Sequence, residues 1–181
     1  AGIGPIGLGT DGAGSIRGPA ACCGLVGLKA TLGAVPSAGA RDTFANHSYT
    51  GPLARSVTDA AVMFEVLAGP SDRDPWSLAA GARAPFTARL LGGDLSGVWL
   101  GYLMRCANPR VAADVEANTR AALAAFAAMG AEVEEVRETI DWIEPEGRVL
   151  YQANFAVLLA QHLPRWTDRM DPTTLAFMER G

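Results

Sequence analysis

This sequence is nearly without lysine: Lys29 stands alone against fourteen arginines. Only two histidines and three cysteines occur, and aromatic residues make up 7%. Basic and acidic residues number 15 and 19, for a net charge of −4, and no basic stripe gathers anywhere along the chain. That balance argues against a nucleic-acid-binding surface. No apolar run reaches the length of a membrane span, so no membrane partner is expected. The first residues show no cationic, signal-like opening. Cys22 and Cys23 are adjacent and Cys106 is distant, so neither a disulfide framework nor a zinc spacing emerges. We expect small, buried, reduced thiols, a reducing compartment and a cytoplasmic location. No metal is expected.

What the chain does have is glycine and apolar residues. Hydrophobic residues make up 49% of 181 positions, with mean hydropathy +0.15, enough to bury a sizeable core. Residues 1–52 are rich in glycine and poor in charge, a composition suited to tight turns and buried backbone. Pro5–Leu8 reads as a short strand, a helix start falls near Ser15 with Pro19 in its first turn, and Leu25–Leu28 reads as a further buried segment. Residues 56–68 read as a helix capped by Ser56 or Thr58 and ended by Gly69-Pro70. A Pro/Asp/Gly-rich connection covers 70–94.

Val98–Leu103 then reads as a strand. The stripe of Val111, Val115, Ala122, Phe126 and Met129 reads as a helix stopping at Gly130, and Val133–Val136 as a second strand. Strand, helix, strand predicts a βαβ unit with parallel pairing. Val149–Leu163 and Pro172–Met178 read as helical. The division so read is a core over 1–70, the connection 70–94, and a βαβ and helical part over 95–181.

The stretch that carries chemistry is Gly7-Leu8-Gly9-Thr10-Asp11-Gly12-Ala13-Gly14-Ser15-Ile16-Arg17. A strand runs into small residues and then into a helix start. Small residues let successive backbone N–H groups converge on an anion. A serine closing such a nest can attack a carbonyl while those donors hold the oxyanion. Two competing readings exist. Gly7, Gly9 and Gly12 match the dinucleotide fingerprint G-x-G-x-x-G, but Gly18-Pro19 interrupts the helix it needs and Leu25–Leu28 leads to Lys29, not to an acidic residue. Ser15 as a plain helix cap is the other, and composition alone favours it.

The run from Gly9 to Lys29 closely resembles the signature of the amidase signature family, G-T-D-x-G-G-S-I-R-x-P-A-x-x-C-G-x-x-G-L-K-P-T. Gly51-Pro52-Leu53-Ala54-Arg55-Ser56-Val57-Thr58-Asp59-Ala60-Ala61 is similar to a second family segment, G-P-[LM]-x-R-[ST]-V-x-D-A-A. The resemblance implies an α/β fold, part of a large mixed β-sheet flanked by helices, of which this chain looks like an incomplete piece. It implies Ser15 as nucleophile, with backbone N–H groups of Gly12, Ala13 and Gly14 as oxyanion hole and Thr10, Asp11 and Arg17 as supporting residues. The family's remaining triad members, a lysine and a second serine beside a cis peptide bond, lie upstream of this motif. Lys29 belongs to the G-L-K segment, where a structural role is implied. Ala13, Gly18 and Ala30 depart from the family pattern.

The activity implied is amide hydrolysis through an acyl-enzyme on a small-molecule amide substrate, without a cofactor; a homodimer is compatible with the reading. One alternative is the glutamine-hydrolysing component of a tRNA-dependent amidotransferase, the one case in which a nucleic-acid partner is expected. The segment Asp42–Thr50 lacks the S-S-x-D-Q-x-G-P-like run associated with that component. Another is a catalytically incomplete piece serving as a structural or interaction module. Ser15, His47 and Asp42 also supply the residue types of a triad. A loop histidine near the site or core is the preferred reading of His47. His162 reads as interface or surface, and Trp142, Trp166 and Phe177 as core or groove.

Overall fold

A computed structural model describes residues 2–37, 47–77, 87, 93–106, 108–137, 140–141 and 143–180. In chain order the described elements are β1 (Ile6–Asp11), α1 (Arg17–Cys23), β2 (Val26–Gly27), β3 (Tyr49–Ala54), α2 (Val57–Leu67), β4 (Trp99–Tyr102), α3 (Ala113–Ala128), β5 (Glu132–Glu135), α4 (Glu144–Ala160), α5 (Leu163–Trp166) and α6 (Pro172–Met178), with a 3₁₀ turn over Thr167–Arg169. The chain divides into two compact units, one of residues 1–91 and 150–181, the other of residues 92–149. The helical C-terminal stretch groups with the glycine-rich segment.

In the first unit, β1, β3 and β2 form an antiparallel sheet in that order. Its middle strand is the element the sequence reading did not assign, because Gly51 and Pro52 are poor strand formers. The register explains both. A Cβ on Gly51 would stand 2.1 Å from the Leu28 carbonyl oxygen, so only glycine fits. Pro52 accepts from Leu28 N at 3.1 Å and has no N–H to return, and the β2 ladder ends at Gly27.

Strand alternation puts Gly7, Gly9 and Asp11 of β1 on one face and Ile6, Leu8 and Thr10 on the other. Ile16, fully buried, seats on the glycine face. A Cβ on Gly9 would lie 3.1 Å from Ile16 Cγ1, and one on Gly27 3.0 Å from Ile16 Cγ2. With Gly51, whose Cβ would meet Ile16 Cδ1 at 3.2 Å, three glycines from three strands make a bed for one side chain. The opposite face of β1 leaves Ile6 and Leu8 exposed.

Helix α2 starts at Ser56, whose Oγ accepts from Asp59 N at 3.1 Å and donates to the Asp59 carboxylate at 2.8 Å. Its Phe64 packs with Ala30, Ala34 and Val35 in a small core. Cys22, Cys23 and Cys106 are exposed, contrary to the expectation of buried thiols. The seven-residue α1 buries only Ala20, so its cysteines lie away from the sheet.

The second unit holds the predicted βαβ: β4 and β5 pair in parallel, from Trp99↔Glu132 to Tyr102↔Glu135, with α3 between them in sequence. Gly130, at φ +99°, follows the end of α3. Among the described residues no helix is long and apolar enough to cross a membrane.

Candidate active site

The loop between β1 and α1 is organised by Asp11. This carboxylate ends β1, is wholly buried, and accepts five hydrogen bonds. Its Oδ1 takes Gly14 N at 2.7 Å and Arg17 Nη2 at 3.0 Å. Its Oδ2 takes Ile16 N at 3.2 Å, Arg17 N at 3.3 Å and Arg17 Nε at 2.9 Å. The Arg17 guanidinium above all, then the backbone N–H groups, hold the Asp11 carboxyl well below the ordinary carboxylate range against the opposing effect of burial. The same pairing raises the pKa of Arg17.

Asp11 therefore does for α1 what a cap residue does, from the end of a neighbouring strand. The position before the helix is Ile16, which makes no side-chain cap bond. Ser15 is not needed as a cap, and its side chain is exposed at the head of the turn. The turn closes with Gly18 N donating to Gly14 O at 2.7 Å. Gly14 sits at φ +114°, where only glycine is unstrained. Among the described residues the sole non-glycine with positive φ is Cys106, so Ala13 carries its methyl on ordinary backbone.

Of the three backbone donors expected at an oxyanion hole, Gly14 already gives its N–H to Asp11. Gly12 and Ala13 precede it in the loop. Thr10 lies on the sheet face opposite Asp11 and is exposed. Lys29 holds its ammonium 3.5 Å above the centre of the Tyr49 ring and donates to Ala30 O at 3.4 Å, contacts that tie the segment after β2 to β3. His47 packs on the loop: a Cβ on Gly12 would meet its carbonyl oxygen at 3.1 Å and its ring at 3.4 Å. Asp42, the third residue type of a histidine triad, and Trp142 lie outside the described residues. Sequence reasoning missed Tyr151, whose ring edge would stand 3.4 Å from the same Cβ. The i, i+4 spacing of Tyr151 and Phe155 within a helical stretch marks a shared helix face but not its contact with Gly12.

A strand ending in a buried aspartate, a small-residue turn and an uncommitted serine before a helix together suit the amidase family, whose profile matches residues 1–159. The chain belongs to the amidase family. Relatives include an acylamidase of Rhodococcus erythropolis, 39% identical over 145 residues, covering 80% of this chain and 30% of that protein. A component of the glutamyl-tRNA(Gln) amidotransferase of Symbiobacterium thermophilum is 43% identical over 137 residues, 75% of this chain and 27% of the relative. The chain thus spans about three-tenths of the length of these relatives. Among solved structures, a bacterial aryl acylamidase of the amidase signature family superposes with TM-score 0.80 at 25% identity, over 98% of this chain and 38% of that one. A 6-aminohexanoate cyclic dimer hydrolase reaches TM-score 0.83 at 26% identity, over 97% and 39%.

Proposed function

We propose that the full-length protein is a serine amidase and that Ser15 is its nucleophile. The observation that carries this reading is the division of labour at the loop. Asp11 gathers the helix-start donors, so the family's serine position is left with an exposed hydroxyl and no structural duty.

In the proposed reaction Ser15 Oγ bonds to the amide carbonyl carbon as its proton passes to a base. The oxyanion is held by N–H groups of Gly12 and Ala13; Gly14 shapes the turn and joins them only by leaving Asp11. The C–N bond then breaks, the nitrogen takes a proton and departs as ammonia or an amine, and an ester to Ser15 remains. Water attacks that ester, releasing the acid and restoring the hydroxyl. Asp11 and Arg17 position the loop without touching the substrate. The base is assigned to the family's lysine and second serine, supplied from outside these 181 residues, since Lys29 is the sole lysine here and is engaged with Tyr49. No cofactor enters this scheme, and a cytoplasmic location is part of the reading.

A second reading has one observation in its favour, the 43% identity to the amidotransferase component. Its substrate would be glutamine and its partners other subunits and a tRNA. The test is kinetic. In the full-length protein, Ser15→Ala is expected to lower amide turnover by several orders of magnitude with folding retained. Near-normal turnover by the folded variant would remove Ser15 from the mechanism. Turnover confined to glutamine would replace the first reading with the second.

A further inference from the structure

We propose that Tyr151, backed by His47 and Phe155, forms the wall of the acyl site and selects amides with an uncharged aromatic acyl group. The inference rests on Ser15 being the nucleophile beside a loop that carries the oxyanion donors. The ring edge of Tyr151 and the ring of His47 both stand 3.4 Å from where a Cβ on Gly12 would be. Gly12 is the first residue of that loop, so the rings adjoin the backbone that would hold the carbonyl oxygen. They form a continuous run of tilted and edge-on ring contacts. His47 and Tyr151 centroids are 4.9 Å apart, Tyr151 and Phe155 also 4.9 Å, and Phe177 closes on Phe155 edge-on at 5.9 Å.

Two features distinguish this cluster from plain core packing. His47, Tyr151, Phe155 and Phe177 are all only half-buried, so each keeps aromatic surface to offer. Among the described residues, the ionised groups of the loop itself, Asp11 and Arg17, are paired with one another. A planar apolar acyl group gains ring contacts at the wall in the tilted geometry aromatic pairs prefer. The Arg17 guanidinium on the loop is already committed to Asp11, so the charged α-amino-acid end of glutamine gains no partner from it.

The test compares kcat/KM for benzamide and propionamide in the full-length protein, with Ser15 labelling by a fluorophosphonate followed in every variant. Wild type should prefer benzamide. Tyr151→Ala should lower the benzamide-to-propionamide ratio by about three- to tenfold, and Tyr151→Phe should keep it. Tyr151→Leu preserves apolar bulk and serves where alanine does not fold; it too should lower the ratio. An unchanged ratio in a folded, Ser15-labelled Tyr151→Leu or Tyr151→Ala protein would overturn the inference while leaving the nucleophile in place. Stronger protection of Ser15 from the fluorophosphonate by glutamine than by benzamide would also overturn it. Absence of labelling in wild type would instead sink the proposed function, and this inference with it.

Discussion

Replacing Asp11 with asparagine changes one atom and should dismantle the loop. The carboxylate presents an acceptor on both sides, and the amide presents only one. If the amide nitrogen takes the place of Oδ2, it faces three donors, Ile16 N, Arg17 N and Arg17 Nε. Turned the other way, it faces Gly14 N and Arg17 Nη2. Either orientation leaves at least two N–H groups opposed by another donor. A hydrogen bond to a charged group contributes about 1.5–3 kcal/mol, and removing two that share an acceptor is not additive. The Arg17 side chain is 54% exposed, so its share is screened by solvent. The net cost comes to roughly 2–4 kcal/mol. The assay is urea unfolding of full-length Asp11→Asn at pH 7, beside its rate of Ser15 labelling. Both should fall, the labelling by more than the stability loss explains, because the loop is displaced locally.

The pH dependence has a definite sign. Folding lowers the Asp11 pKa below its ordinary value of 3.8, so the stabilisation is complete above that value and is lost as pH falls toward the folded pKa. The gap between wild type and Asp11→Asn should therefore shrink below about pH 4. Equal stability at pH 7 with normal labelling would refute the view that Asp11 builds the site.

Ile16→Ala should cost about 2–5 kcal/mol, since the side chain is fully buried against Gly9, Gly27 and Gly51 and the strands cannot close on the void; chemical denaturation measures it. Gly18→Ala should stabilise by about 0.5–1 kcal/mol, because a Cβ there meets nothing within 4 Å and the residue lies within α1; a thermal melt that falls would contradict the open geometry.

Much of this architecture was legible in the residues. The parallel βαβ unit and the capped α2 follow from apolar spacing and from Ser56, because local pattern and packing agree there. The strand β3 was not legible. Its Gly51 and Pro52 oppose strand formation locally, and only the approach of Leu28 from the end of β2 makes them suitable. Cys22 and Cys23 were misjudged because residue type says little about which side of a two-turn helix meets the sheet. At the site, the motif pointed to Ser15, Asp11 and Arg17. It could not show that Asp11, not Ser15, satisfies the helix start, nor that Gly14's N–H is committed to it. Tyr151 lies 139 residues after Gly12, and no local pattern records that contact.

The central claim is that Ser15 is the acylated residue, and the direct measurement is peptide mapping of the full-length protein after reaction with a fluorophosphonate. The account predicts a single adduct, on the peptide bearing Ser15, which Ser15→Ala abolishes. An adduct on any other residue, or labelling that survives Ser15→Ala, would contradict it.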